Sequence, residues 1–540
     1  MKHKFLLIIA ILFCNNLIAQ NSKEVTHDLS KDASKGMLDL SQIAQDGNLI
    51  FTYKMKTDKK SDQVSYENYS FDQNLNFKGI TPDKADKEKK GNQVVSSISA
   101  FVGGSNSFNV LSMKLTLQKE EWEKIWDYGQ QKYKWGKRLS KEVVKPKNSE
   151  GKYRGFADYQ NEDDGSIFII ASAETDKKNE KDQFLALYVD DQLNLKETPF
   201  PVNGNYSLVF SGKLQSGNVF SLLAPDKGTG DLSKYVYIEF SPKGDVIYNS
   251  IFTAPAQAMA VMDYQEANGA LYFCAASPKK AEAYNSVFEN YAPIGNPGYT
   301  TSSNFLMDKY EKKIYNQDFA NFHLLKIDKG QLAFASTTPI NTFKAMVKTP
   351  PSQKRATPYN GKKLVIQNFT VTPGGEYLVT GQLEDKKIIN GGNTIQHYYY
   401  DIVCLHFDAN GALKAQYAVE KINDDKKSEM FQSRQKFFFS ADGKTAFWEL
   451  LEVKGSKGYD SFIDAFNGKA SIIPQYFPRI ANINLTAGNI SDFKVLGDSG
   501  KFLLYKFQSY IFDEKTKNRF YLGHDEDYKK IWIGKYLMDN

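Results

Sequence analysis

Apolar residues in this chain come in short blocks rather than at helical spacing. Residues 49–53 (LIFTY), 167–171 (IFIIA), 219–223 (VFSLL), 271–274 (LYFC) and 502–505 (FLLY) are of strand length and rich in aromatic and branched side chains. A turn glycine precedes each block: Gly47, Gly165, Gly217, Gly269 and Gly500, with Gly375 and Gly443 heading two further blocks. Asp-Gly, Asn-Gly or Gly-Gly pairs stand at five of these turns, as a tight hairpin needing a left-handed backbone requires.

In four units a second turn follows 24 or 25 residues later, at Asp72, Asp190, Ser241 and Asn467. A turn, strand, loop, strand, turn unit that recurs is a repeat fold. Successive glycines are 118, 52, 52, 106, 68 and 57 residues apart. The first interval is about twice the ordinary period and predicts a hidden unit around Gly104 and Gly129. The 106-residue interval is read as one unit with a long insertion, because its second turn comes late, at Asp328-Lys329-Gly330.

Units of this length with four short strands match the blades of a β-propeller, whereas a β-helix needs shorter rungs and a β-sandwich does not repeat at this period. Residues 438–447 (FFSADGKTAF), 240–247 (FSPKGDVI) and 369–379 (FTVTPGGEYLV) resemble the strand, turn, strand motif of secreted bacterial propellers of the TolB-like and WD40-like kind. That resemblance implies a fold and no particular activity. The expected architecture is all-β: one propeller of seven or eight four-stranded antiparallel blades over residues 20–540, with an insertion at about 284–318.

If each glycine turn joins a blade's first two strands and the later turn joins its last two, both lie on one face of the disk. The long polar connections between second and third strands then converge on the other face, where binding loops commonly sit. The longest of them carries Tyr284, Phe288, Tyr291, Tyr299, Phe305 and Tyr310. Aromatic side chains give large contact area for little rotamer entropy, so these six are the expected binding surface. The competing reading is that they fold back and plug the disk.

The N-terminus changes the picture of location. Lys2 and Lys4 precede an apolar core from Phe5 to Phe13, and Leu17-Ile18-Ala19 follow, as in a signal peptide of residues 1–19. The core is too short to span a bilayer of about 30 Å, and no later stretch is long enough. Export to the periplasm, the cell surface or the medium is therefore expected. Lipid attachment at Cys14 is disfavoured, because Phe13 stands where a small residue belongs. Beyond the signal only Cys274 and Cys404 occur, each within an apolar run, which predicts buried thiols rather than a disulfide scaffold.

A formal net charge of +6, from 69 basic and 63 acidic residues, is mixed along the chain and is not the footprint of a nucleic-acid-binding protein. No nucleophile elbow, zinc-protease helix, Cys-x-x-Cys pair or phosphate loop is present, so no cofactor and no metal are expected. Asp72-Gln73-Asn74-Leu75-Asn76 begins like a calcium loop, but Phe77 and Asp83 stand where Gly and Glu are required, which favours hairpin chemistry. Ser440, Asp442, Gly443 and Trp448 miss the Asp-box of sialidases, having no residue between Asp and Gly.

Two weaker features remain. Asp158-Tyr159-Gln160 and Asp263-Tyr264-Gln265 precede Gly165 and Gly269 by seven and six residues, in strands expected to line the channel. Facing carboxylates there could act as acid and base, or could bond a neighbouring blade's backbone. Trp122, Trp126 and Trp135 crowd one segment and read either as a stacking platform or as a packed face of a short helix over 120–127. The sequence thus points to an exported scaffold for an envelope protein or a glycan, with a channel glycan hydrolase or lyase using Asp158 and Asp263 as the alternative. Oligomeric state is not encoded in any of these features.

Overall fold

The computed structural model describes residues 22–56, 61–87, 90–101, 116–127, 132–147, 153–161, 164–173, 183–288, 318–353, 356–389, 394–422, 428–457, 473–505 and 509–538. The chain is a β-propeller. Among the described residues, eight sheets follow one another in sequence, each built from consecutive strands, and strand pairing is antiparallel except for the two-residue edge strand Val347–Lys348 and the isolated bridge between Lys147 and Asn194. Blade one runs Met37–Ile43, Leu49–Lys54, Gln63–Phe71 and Phe77–Asp86. Blade two has three described strands, Gln93–Phe101, Thr116–Asp127 and Lys132–Val144, in the interval where a hidden unit is expected, while Gly104 and Gly129 lie outside the described residues. Blades three to seven begin at Tyr153, Tyr206, Ala260, Leu364 and Arg434.

The eighth blade takes its fourth strand from the other end of the chain. Ser22–Asp28 pairs along its whole length with Lys530–Leu537, the third strand of that blade. The same connection carries the chain from the rim of blade eight into the first strand of blade one, and closes the ring. Glu24 locks it, accepting hydrogen bonds from the Trp532 indole at 3.0 Å and from the Gly497 amide at 2.9 Å.

Blades touch through their first strands, as in the contacts between Tyr206–Lys213, Ala260–Ala267, Leu364–Val371 and Arg434–Phe439. A β-bulge recurs in this strand in blades one, three, four, five and six. Bulges sharpen twist, which lets a strand beside the axis diverge quickly from its neighbours. In blade four the second and third strands are covered on both faces. Val219–Pro225 is buried at every position, while the outer strand Val246–Thr253 of the same blade is mostly exposed. That is why the second strands read in the sequence as unbroken apolar blocks.

Six of the seven glycines predicted at first turns stand there, with φ between 68° and 85°. Gly500 does not. It ends a 3-10 turn, Asp498–Gly500, ahead of the innermost strand of blade eight, Leu503–Leu504. The first turn of that blade is the Asp513–Asn518 hairpin, where Lys517 has a φ of 53°. Asn467 lies outside the described residues, and the outer hairpin of blade seven joins Asn484 to Asn489. Cys274 and Cys404 are buried free thiols, as expected, and burial pushes both well up. No helix among the described residues is long and apolar enough to cross a membrane.

Candidate functional site

The two channel carboxylates do not form a pair. Asp263 stands immediately after the bulge of its strand, opposite Cys274, while Asp158 lies opposite Ile169 in blade three. Asp158 pairs with the second-strand residue four past its turn glycine, and the residue that does so in blade five is Tyr264, opposite Phe273. Successive residues in a strand point to opposite faces, so the two carboxylates face different neighbours. Asp263 accepts hydrogen bonds from its own blade at Tyr264 N, 2.8 Å away, and from the Phe369 amide in blade six. Two residues on, the Gln265 side chain accepts from the Val371 amide. The pair thus satisfies edge N–H groups that the first strand of blade six would otherwise leave unpaired. Burial outweighs these bonds and pushes the Asp263 carboxyl up to about 6. Asp158 is open to solvent, yet enough protein surrounds it to raise its carboxyl as well.

The long insertion begins with one helical turn, Tyr284–Val287. Tyr284 and Phe288 are spaced four apart, so both fall on the same side of that turn and enter the core shared by blades four to six. They are 1% and 0% exposed, with ring centroids 5.1 Å apart. These two are plugs rather than contact residues, which corrects the expectation for them. Tyr291, Tyr299, Phe305 and Tyr310 lie outside the described residues.

Asp72 directs its carboxylate into its own hairpin, accepting from Asn74 N at 2.9 Å, Asn76 N at 2.8 Å and Asn76 Nδ2 at 2.9 Å. His406 is buried between the Tyr417 hydroxyl and Glu376, which also pairs with Lys414. Among the described residues, no cluster of three His, Cys, Asp or Glu side chains is arranged to hold a metal.

The tryptophan segment is a strand, not a helix. Alternation puts Glu120, Trp122, Lys124 and Trp126 of Thr116–Asp127 on one face, and cross-strand pairing adds Tyr133, Trp135 and Arg138 from Lys132–Val144. Trp126 is 5% exposed and packs on Tyr133 at 4.9 Å. Trp135 is 60% exposed and meets Trp122 edge-on at 6.0 Å. Lys124 lies 4.6 Å from the Trp135 ring and Arg138 5.9 Å from that of Trp122. Glu120 binds both the Trp122 indole N–H and Arg138 at 2.9 Å. Lys132–Val144 carries four Lys and one Arg against a single Glu. The outcome is a partly exposed aromatic surface flanked by Lys124 and by the Arg138–Glu120 ion pair.

A second feature left no trace in the sequence pattern. Between blades eight and one, the segment that follows the closing strand roofs a cavity of about 190 Å³. Tyr53, Tyr505, His524 and Tyr528 line it together with Leu29, Ala33, Gly36 and Leu38. The Tyr53 and Tyr505 hydroxyls are 2.7 Å apart, and burial pushes both phenols up.

No family model matches the sequence. No curated protein matches it significantly. Among solved structures, the chain aligns with an α-L-arabinofuranosidase of Fusarium graminearum complexed with arabinobiose, at 9% identity and a TM-score of 0.23, over 71% of this chain and 92% of that one. It aligns with an α-L-arabinanase of Penicillium chrysogenum at 8% identity and a TM-score of 0.24, over 71% and 94%. Saccharomyces cerevisiae Sqt1 aligns at 9% identity and a TM-score of 0.24, over 94% and 97%.

Proposed function

We propose that this protein is an exported propeller scaffold that binds an anionic glycan across the tryptophan face of blade two. The Trp122–Trp135 pair, in which Trp135 is exposed and Trp122 half-buried, carries this reading. Indole faces stack on the C–H faces of sugar rings, and a large exposed aromatic costs solubility unless something uses it. Lys124, set beside the Trp135 ring, suits a carboxylate or sulfate substituent on the same chain, while Arg138 is engaged by Glu120. A mixed-sign surface elsewhere would leave attraction local to this patch.

Affinity electrophoresis through gels containing polygalacturonate is the direct test. Wild type should be retarded, Trp135→Ala and Trp122→Ala should each lose most of the retardation, and added salt should weaken what remains. Equal mobility of wild type and both variants would remove the reading. Retardation by RNA or DNA but by no polysaccharide would replace it with another.

A second reading, a glycan hydrolase or lyase working in the channel, has one observation in its favour. The Asp263 carboxyl, raised to about 6, sits in the range of a general acid. Against it stand the amide bonds that engage Asp263 and the opposite orientation of Asp158. Asp263→Asn and Asp158→Asn would each abolish release of reducing ends if the channel were catalytic.

A further inference from the structure

The outer strand of each blade lies on the rim of the disk, where its outward N–H and C=O groups would pair with another chain unless something guards them. Most of these edges are guarded. Phe77–Asp86 of blade one carries Lys78, Pro82, Asp83 and Lys84, and Leu195–Pro199 of blade three is short and holds Lys196, Glu197 and Pro199. Lys132–Val144, the described edge of blade two, is strongly basic. Val347–Lys348 covers the edge of blade six, two-residue strands end blade seven, and Ser22–Asp28 on blade eight has charges of both signs. Blade five runs from Gln331 into Pro339 and a 3-10 segment, Ile340–Met346, and exposes Gln331, Ala333, Ala335 and Thr337.

Val246–Thr253 of blade four has no guard. None of its eight residues is charged or a proline. Val246, Ile247, Tyr248 and Ile251 are between 36% and 64% exposed, and among the described residues no strand pairs with its outer edge. Its one bulge, at Ile247, recurs at the start of the outer strands of blades one, five and six, so it belongs to the plan of a blade. We infer that two copies of this protein join rim to rim through this strand, antiparallel about a two-fold axis at Ile251, so that two four-stranded blades become one continuous sheet. The inference stands on blade four alone and not on the tryptophan face.

A second copy is the partner that the charge pattern selects. A charged strip cannot complement its own image, whereas an uncharged one faces itself without repulsion. A run of branched and aromatic residues with no charge and no proline is also the composition that pairs with identical segments. The ladder sets the register. From Tyr248 to Thr253 the strand pairs residue for residue with Lys234–Glu239, so an axis at Ile251 uses this straight part and leaves the bulge outside. Ile251, the most exposed apolar side chain of the strand, then meets its like in the second copy, and Asn249 stands opposite Thr253. The strand is held from both flanks: Lys196 of blade three reaches Asp245, just ahead of it, at 2.6 Å, and Ser250 bonds the Gly330 carbonyl of blade five. An edge already fixed in place loses little freedom on pairing. Each copy uses its strand once, so the contact closes at two. One strand a side is far less than the roughly 20–30 residues of a standard interface, which makes the dimer a reversible one.

Sedimentation equilibrium of the intact chain over a wide range of concentration tests this. Wild type should show a reversible monomer–dimer equilibrium. Ile251→Lys and Ile251→Glu, which set like charges face to face, should each weaken it by about tenfold or more, and an equimolar mixture of the two should regain it. Ile80→Lys, at an exposed position on the outer strand of blade one, should leave it unchanged. A monomer at every concentration would overturn the inference. So would dimers that survive both Ile251 variants, a mixture that stays monomeric, or an equal loss in Ile80→Lys.

Discussion

Asp263 and His323 set opposite pH dependences within one blade. His323 is 1% exposed, bonded to Ser277 at 2.8 Å and Thr337 at 3.0 Å, and burial lowers it to about 4. Between pH 6.5 and 4 the unfolded chain therefore binds more protons at this position, and stability falls as the medium is acidified. Asp263, raised to about 6, does the reverse: its protonated form favours the folded state, a contribution present below pH 4 and lost as pH rises through 6. Each shift corresponds to roughly 3 kcal/mol at 1.36 kcal/mol per pH unit, so the two nearly cancel. Urea unfolding between pH 4 and 7 should find Asp263→Asn more stable than wild type at pH 7 by up to about 3 kcal/mol, with a steeper loss toward pH 4. Parallel profiles would show that the Asp263 carboxyl is not shifted. That the two aspartates face apart could not be read by counting back from their glycines, because the first turn of blade three, between Gln160 and Ile167, is longer than that of blade five, between Ala267 and Ala270.

The turn glycines carried the architecture because a left-handed backbone is a local demand, independent of what packs around it. Their replaceability should nevertheless differ from blade to blade. At Gly165, with φ 73°, an added Cβ would meet nothing within 4 Å, so Gly165→Ala should cost only the conformational penalty of about 1–2 kcal/mol. At Gly330, with φ 75°, the Cβ would come within 2.7 Å of Tyr248, and the Gly330 carbonyl also accepts from Ser250 in blade four. Gly330→Ala should cost clearly more, about 3 kcal/mol or above, by chemical denaturation. Equal costs would mean that the blades yield at this contact. Blade eight was misread because its innermost strands, Leu503–Leu504 and Tyr510–Asp513, are too short to show alternation and its outer strand lies 500 residues away. The tryptophan strand was ambiguous because Trp122, Ile125 and Trp126 satisfy a helical face, while the residues that pair with them lie in a separate segment.

At the scale of the whole molecule, closure is the property to explain. Closure depends on Ser22–Asp28, which covers the edge of Lys530–Leu537 and brings Glu24 to the Trp532 indole. Deleting residues 22–28 should expose that edge, lower the melting temperature by several degrees and promote association between copies. Glu24→Gln, which keeps the strand and weakens the acceptor, should cost about 1–2 kcal/mol. Unchanged melting in the deletion would show that the ring holds without its clasp. Neither the clasp nor the seam cavity could be read from the repeat, since both join residues from opposite ends of the chain. The proposed function is that of a ring that holds a glycan without cleaving it. Prolonged incubation with polygalacturonate, following retention on the gel and reducing ends together, tests that most directly. Bound polysaccharide recovered at its original length, with retention lost in Trp135→Ala, is the predicted result. Reducing ends that accumulate with wild type and vanish with Asp263→Asn would contradict it.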